Sequence, residues 1–238
     1  MTFGSLFAGI GGFDLGLERA GMTCKWQVEI DPFCQKVLMK RWPHVPKYED
    51  VREVGAHNLE RVDLICGGFP CQDISYAGNG AGLAGERSGL WFEFARIIRE
   101  VGPRLLLVEN VAALLDRGMG DILGTLADLG FDAEWHIVPA SALGAPHRRE
   151  RIFIVANADQ DRRRTIFNSE GWLSEVQAPF LWQSFRATDL QVWLEAYCGL
   201  RRNVDGIPEE SQRIAAAGNA VVPQVAEWIG HRIMEATQ

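Results

Sequence analysis

The stretch TFGSLFAGIGGFDLG, residues 2–16, reads as a strand, a glycine turn and the start of a helix. Its first half, TFGSLFAG, is an apolar, strand-like run; Gly9, Gly11 and Gly12 follow, and a helix is expected from about Phe13. Glycine lets the backbone turn sharply and approach a ligand closely, while a helix N-terminus offers free N–H groups. The spacing departs from the strict dinucleotide fingerprint, because Gly9 and Gly11 fit G-x-G but Asp14 takes the third glycine's place. Glu29, 20 residues past Gly9 and closing the run KWQVE, sits where a ribose-binding carboxylate belongs in a nucleotide-binding fold. Together the loop and the acid suggest an adenosine-containing cofactor; a tight turn followed by a strand-end acid is the plainer alternative.

Outward from this unit, short apolar runs alternate with helical periodicity. A helix is expected from about Pro32, and VDLIC (62–66), LLLVEN (105–110) and RIFIVAN (151–157) read as strands. After Ser88, residues Leu90, Phe94, Ile97, Ile98 and Val101 form one helical stripe that Gly102 and Pro103 terminate. The alternation predicts a Rossmann-like α/β fold with a mostly parallel sheet and helices on both faces. Past Asn157 the pattern changes to DQDRRRTIFNSEGWLSEVQAPFLWQSF, rich in arginine and aromatics and without a clear period. A helical pattern returns with Val225, Ile229 and Ile233. The expected organisation is a catalytic and cofactor-binding domain over 1–157, a small irregular lobe over 158–198, and a segment over 199–238 that returns to the first domain.

With 238 residues and 47% hydrophobic content, the chain can bury a full core as one large domain carrying a small lobe. Five cysteines without a C-x-x-C pair argue against a disulfide framework or structural zinc, and no metal site is expected. The N-terminus has no basic leader, and no apolar run approaches the ~20 residues that span a bilayer, so a cytoplasmic protein is expected. A net charge of −7 argues against indiscriminate coating of nucleic acid. The charge is unevenly distributed: residues 1–146 hold 13 basic and 19 acidic side chains, whereas residues 147–213 hold ten of each, every basic one an arginine. Arginine suits bidentate phosphate and base-edge contacts, although singly most such residues are solvated surface.

In GGFPCQDIS, residues 67–75, Cys71 falls five residues past Cys66, at what should be a carboxyl edge of the sheet. Glu109 ends LLLVEN in the same way, so two strands would deliver a thiol and a carboxyl to one crevice. A thiol of ordinary pKa ~8.5 becomes a useful nucleophile where positive charge favours its anion, and Arg149 and Arg151 are candidates to supply it. A buried structural role is the common one for cysteine; the glycine-proline lead-in and polar tail of Cys71 argue against it.

In chain order, FAGIGGF, PCQ, ENV, the RRER of HRRERIFIVA, and GNAVVP resemble the ordered motifs of the DNA cytosine-5 methyltransferases. The resemblance implies that Phe7, Gly9, Gly11 and Gly12 hold S-adenosyl-L-methionine, that Glu29 binds its ribose, and that Ile30 covers its adenine. Asp50, Pro70, Leu90, Asn219 and Val221 match positions that complete that pocket. Cys71 matches the nucleophile that attacks carbon 6 of a flipped-out cytosine, Glu109 the acid at ring N3, and Arg149 and Arg151 the arginines that orient the ring and the cysteine loop. Gln72 and Ser75 behind the thiol, with Arg162, Arg163 and Arg164, are expected to contact double-stranded DNA, and the glycine-rich residues 76–89 to close as a lid.

The chain departs from the family at Ser5, where many relatives carry an acid, at His147 in place of a glutamine, and at Ala77 in place of a serine. Its recognition region is short, with Trp172, Phe180, Trp182 and Phe185 as a minimal aromatic core. The small size resembles bacterial or viral enzymes, as a monomer or with a partner chain, acting beside a cognate restriction enzyme or in viral self-protection. A catalytically weak DNA-binding or autoregulatory protein is the alternative of another class. The signature of the tRNA-modifying branch is missing, and the glycine fingerprint is wrong for a nicotinamide enzyme.

Overall fold

A computed structural model describes residues 1–70, 89–145, 148–158 and 218–237. Cys71, Gln72, Ser75, residues 76–88, His147 and Arg162 to Arg164, with the rest of the recognition region, lie outside the described residues.

Strand β1 (Thr2–Leu6) leads into helix α1 (Gly12–Arg19), as the glycine turn predicts. Then come β2 (Thr23–Val28), α2 (Pro32–Arg41), the short β3 (Lys47–Tyr48), a 3-10 turn over Val51–Glu53, β4 (Leu64–Gly67) and α3 (Leu90–Val101). They are followed by β5 (Leu105–Val111), α4 (Leu114–Arg117), α5 (Met119–Asp128), β6 (Asp132–Pro139), a 3-10 turn over Ala140–Leu143, β7 (Glu150–Asn157) and α6 (Pro223–Ala236). The helix ends follow local rules. Asp31 caps α2 by accepting from the N–H groups of Phe33 and Cys34 ahead of Pro32, and Gly102 ends α3 in the left-handed region at φ 65°.

Among the described residues, seven strands form one sheet in the order β3-β2-β1-β4-β5-β7-β6. The first five are parallel; β7 runs antiparallel to β5, and β6 pairs antiparallel with β7 at the sheet edge. One face is covered by α3 and α5 through Trp91, Phe94, Ile97, Ile98, Ile122 and Leu126. The other is covered by α1 and α6 through Phe13, Leu17, Val225, Ile229 and Ile233. Each such buried side chain contributes about 1.5–3 kcal/mol relative to exposure. Among the described residues no helix is long and apolar enough to cross a membrane.

Small residues set the closest approaches. A Cβ on Gly4 would lie 2.1 Å from the Trp26 indole, and one on Gly16 would lie 2.4 Å from the Pro223 carbonyl oxygen and 2.5 Å from the Ala226 Cβ. Helices α1 and α6 therefore meet backbone to backbone at Gly16. Gly16→Ala is expected to lower stability by about 1–3 kcal/mol through overpacking. Urea denaturation checks this, and an unchanged midpoint contradicts the packing.

Candidate active site at the carboxyl edge of the sheet

The parallel strands deliver their carboxyl ends to one edge, where ligands bind in open α/β sheets. After β1, the chain turns through Phe7 at φ 52°, Gly9 at φ 57° and Gly11 at φ 85°, and Gly11 occupies the N-cap position of α1. The glycines have separate reasons. A Cβ on Gly11 would meet the Trp42 ring at 2.4 Å and one on Gly12 the Val221 carbonyl oxygen at 2.2 Å, whereas a Cβ on Gly9 would meet nothing within 4 Å. Gly9 thus faces open space in a conformation that L side chains rarely adopt. Phe7 is half-buried, its ring stacked on Phe94 at 6.3 Å between centroids.

The Glu29 carboxylate closes this loop, with Oε2 accepting from the Gly9 N–H at 2.7 Å and Oε1 from the Asp31 N–H at 2.8 Å. Burial raises its pKa and those two backbone donors oppose the rise. Beside it Ile30 is 63% exposed, an apolar side chain turned to water. The open face at Gly9, the half-buried acid and the bare Ile30 fit an adenosine-type group: backbone room, a hydrogen-bond acceptor and an apolar surface. Asp50 follows β3 at the same edge, but its carboxylate caps the 3-10 turn and pairs with Arg52 at 2.6 Å. Leu90 and Pro70 are half-buried at the neighbouring strand and helix ends, and Asn219 is exposed next to Val221.

Beneath the loop lies a polar cluster that no local sequence pattern marks. Asp14, fully buried in the first turn of α1, accepts from Ser5 Oγ at 3.1 Å, Gln27 Nε2 at 2.8 Å and Cys24 Sγ at 3.5 Å. The acid missing at position 5 is thus matched by one reaching in from α1. Burial raises the Asp14 pKa to about 6, against hydrogen bonds led by that of Gln27. The cluster ties α1 to β1 and β2, the two strands whose ends carry Phe7 to Gly9 and Glu29.

At the ends of β4 and β5 the chain passes Gly68, Phe69 and Pro70 toward Cys71 on one side and reaches Glu109 and Asn110 on the other. A Cβ on Gly68 would lie 2.7 Å from Glu109 Oε2, so the glycine makes room for the carboxyl. Glu109 is 7% exposed and its Oε1 lies 3.0 Å from Arg151 Nε. The register places Glu109 opposite Phe153 and Val111 opposite Arg151, so acid and arginine are diagonal neighbours on one face. Burial raises the Glu109 pKa to about 6, with the charges of Arg151 and then Arg149 pulling it down. Asn110, buried and unassigned by the sequence reading, donates from Nδ2 to the Phe69 carbonyl at 3.3 Å and holds the turn that leads to Pro70. Arg149 behaves differently from Arg151: its Nη1 and Nη2 donate to the carbonyls of Gly218 and Ala220, each at 2.7 Å.

A family model described as C-5 cytosine-specific DNA methylase matches residues 1–186. The chain is 28% identical to the Type II methyltransferase M2.BsuMI of Bacillus subtilis over 97% of this chain and 75% of that protein. It is 40% identical to the Type II methyltransferase M.HpaII of Haemophilus parainfluenzae over 65% of this chain and 45% of that protein. It thus spans about half or less of several such relatives. Among solved structures, the Entamoeba histolytica methyltransferase EhMeth superposes with a TM-score of 0.71 at 12% identity, covering 100% of this chain and 99% of that one. A DNA modification methyltransferase from an Escherichia coli prophage gives 0.66 at 19% identity, with coverage of 100% and 99%. These likenesses bear out the expected Rossmann-like methyltransferase fold.

The buried Asp14 makes a pH prediction. Its folded pKa, about 6, exceeds the ordinary 3.8, so the group favours the folded state fully below pH 3.8 and loses that contribution as pH rises through about 6. The shift is worth on the order of 3 kcal/mol. Relative to Asp14→Asn, the native protein should therefore gain stability between pH 7.5 and pH 5, read from urea midpoints at the two values. Parallel pH profiles would contradict the burial.

Proposed function

The chain belongs to the C-5 cytosine-specific DNA methylase family, and on that premise we propose that it methylates carbon 5 of cytosine in double-stranded DNA from S-adenosyl-L-methionine. The observation that carries the reading is the Glu109 carboxyl, buried against Arg151 and set beside the strand end that runs into Pro70 and Cys71. In sequence Cys71 follows Pro70 and lies four residues past the end of β4.

Carbon 5 of cytosine is a weak nucleophile. The Cys71 thiolate adds to carbon 6 and forms the S–C6 bond, while Glu109, with a pKa lifted to about 6, holds a proton at N3; the ring becomes an enamine with electron density on carbon 5. When bound, S-adenosylmethionine supplies an electrophilic sulfonium methyl group. Once carbon 5 carries the methyl group, loss of its proton to a base expels the thiolate from carbon 6, N3 returns its proton to Glu109, and the aromatic ring is restored. Arg151 holds the Glu109 carboxyl in place. Since carbon 6 lies inside the base stack, the cytosine is extruded from the duplex, at a cost of a few kcal/mol that pocket contacts offset.

Phe7, Gly9, Glu29, Ile30 and Leu90 would hold the cofactor; Gly11, Gly12 and Val221 shape the loop behind it. The short region over 158–198, with Arg162 to Arg164, is read as the recognition lobe, and Gln72 and Ser75 as DNA contacts next to the nucleophile. Similarity to Type II methyltransferases supports a role beside a cognate restriction enzyme in a bacterial cytoplasm.

Purified protein incubated with S-adenosylmethionine and unmethylated genomic DNA should place 5-methylcytosine at one recurring motif, mapped at base resolution, and Cys71→Ala should place none. Methylation by the alanine variant, or none by the native protein, sinks the reading. Glu109→Gln is expected to slow single-turnover methyl transfer by about 10²–10⁴-fold without weakening cofactor binding in a direct titration.

A further inference from the structure

Building on the proposed activity, we infer that Arg149 is a positioning residue for the cofactor crevice, acting through the returning segment 218–222, and not a group that orients the cytosine ring. The resemblance alone implied the second role. Its side chain, leaving the chain just ahead of β7, puts two guanidinium nitrogens on the carbonyls of Gly218 and Ala220, 69 and 71 residues further on. Both distances are 2.7 Å, the short range of charge-assisted bonds, and the carbonyls belong to alternate residues. A planar two-pronged donor can bridge such a pair; a lysine ammonium, a single point of charge, cannot reproduce the fork. Arg149 itself is held at φ 33°, a backbone conformation rare outside glycine.

What the fork holds bears directly on the cofactor loop. Ala220, Val221 and Val222 are buried, and the Val221 main chain lies against Gly12: a Cβ there would come within 2.2 Å of the Val221 carbonyl oxygen and 3.0 Å of its carbonyl carbon. Gly12 opens α1, and the loop it ends is pinned at its other side by the Gly9 N–H bond to Glu29. Arg149 therefore presses the return segment onto the back of the loop whose front, at Gly9, is open. Arg151 differs, because its Nε faces the Glu109 carboxyl. Two arginines two residues apart thus differ in what their side chains hold, Arg149 the return segment and Arg151 the acid, while the charges of both act on Glu109.

The test measures S-adenosylmethionine affinity by titration calorimetry without DNA, together with amide hydrogen exchange over residues 218–225, for the native protein, Arg149→Lys, Arg149→Ala and Arg151→Lys. Loss of a charge-assisted pair predicts about ten- to hundredfold weaker cofactor binding in both Arg149 variants and faster exchange in the segment, with lysine failing to rescue either. Arg151→Lys should keep both readings native while turnover falls. Native affinity and exchange in Arg149→Lys, with turnover lost only on DNA, would assign Arg149 to the ring and overturn the inference. If Arg149→Ala does not fold, Arg149→Lys decides. Should the native protein bind no S-adenosylmethionine, the proposed activity falls and the exchange data alone decide whether the fork holds the segment.

Discussion

Keeping the Glu109 carboxyl out of water beside a cation is the constraint that the rest of the site serves. Desolvation and the two nearby arginines act on it in opposite directions, and desolvation wins, leaving the group with a pKa near 6. A fully solvated glutamate would be ionised at neutral pH, and one paired to arginine without burial would be ionised more firmly still. The intermediate value requires both the dry pocket and the partner. Gly68 opens the pocket by lacking a Cβ, and β7, running antiparallel to β5, brings Arg151 diagonally alongside. Asn110 fixes the neighbouring turn through the Phe69 carbonyl, so the acid and the approach to Cys71 are set by one pair of adjacent strands.

The glycine loop after β1 rests on a second buried carboxyl. Asp14 would be an expensive group to bury alone, and Ser5, Gln27 and Cys24 all donate to it. The arrangement locks α1 against β1 and β2 and so fixes the distance between the glycine loop and Glu29. Burial still outweighs those bonds in the Asp14 pKa, which means that the cluster supplies position at some expense of stability near neutral pH. The same loop is backed by Val221 against Gly12, so three parts of the chain far apart in sequence converge on it.

Much of this was legible in the sequence, for identifiable reasons. The strands β1, β2, β4, β5 and β7 announce themselves as short apolar runs, and the stripe of α3 with its Gly102 stop fixes that helix closely. The direction of β7 was not legible, since a strand buried on both faces has the same pattern read either way. Edge strand β6 is only partly buried, and β3 has two residues, so neither leaves a clear period. Where the apolar runs stop puts Glu29 just past the end of β2, whereas Glu109 lies within β5, two residues short of its end. Asp14 appeared only as an interruption of a glycine motif, and the partners of Arg149 lie about 70 residues away, where no local pattern points.

In the proposed reaction Cys71 becomes covalently joined to carbon 6 of the target cytosine. The most direct measurement uses a duplex carrying 5-fluorocytosine at the methylated position, incubated with the protein and S-adenosylmethionine. Fluorine in place of the carbon-5 hydrogen blocks the elimination that frees the thiol. A denaturation-resistant protein–DNA adduct is expected, whose modified peptide, identified by mass spectrometry, contains Cys71 joined to the base. A preparation that methylates ordinary DNA yet forms no adduct, or one joined through another residue, would contradict it.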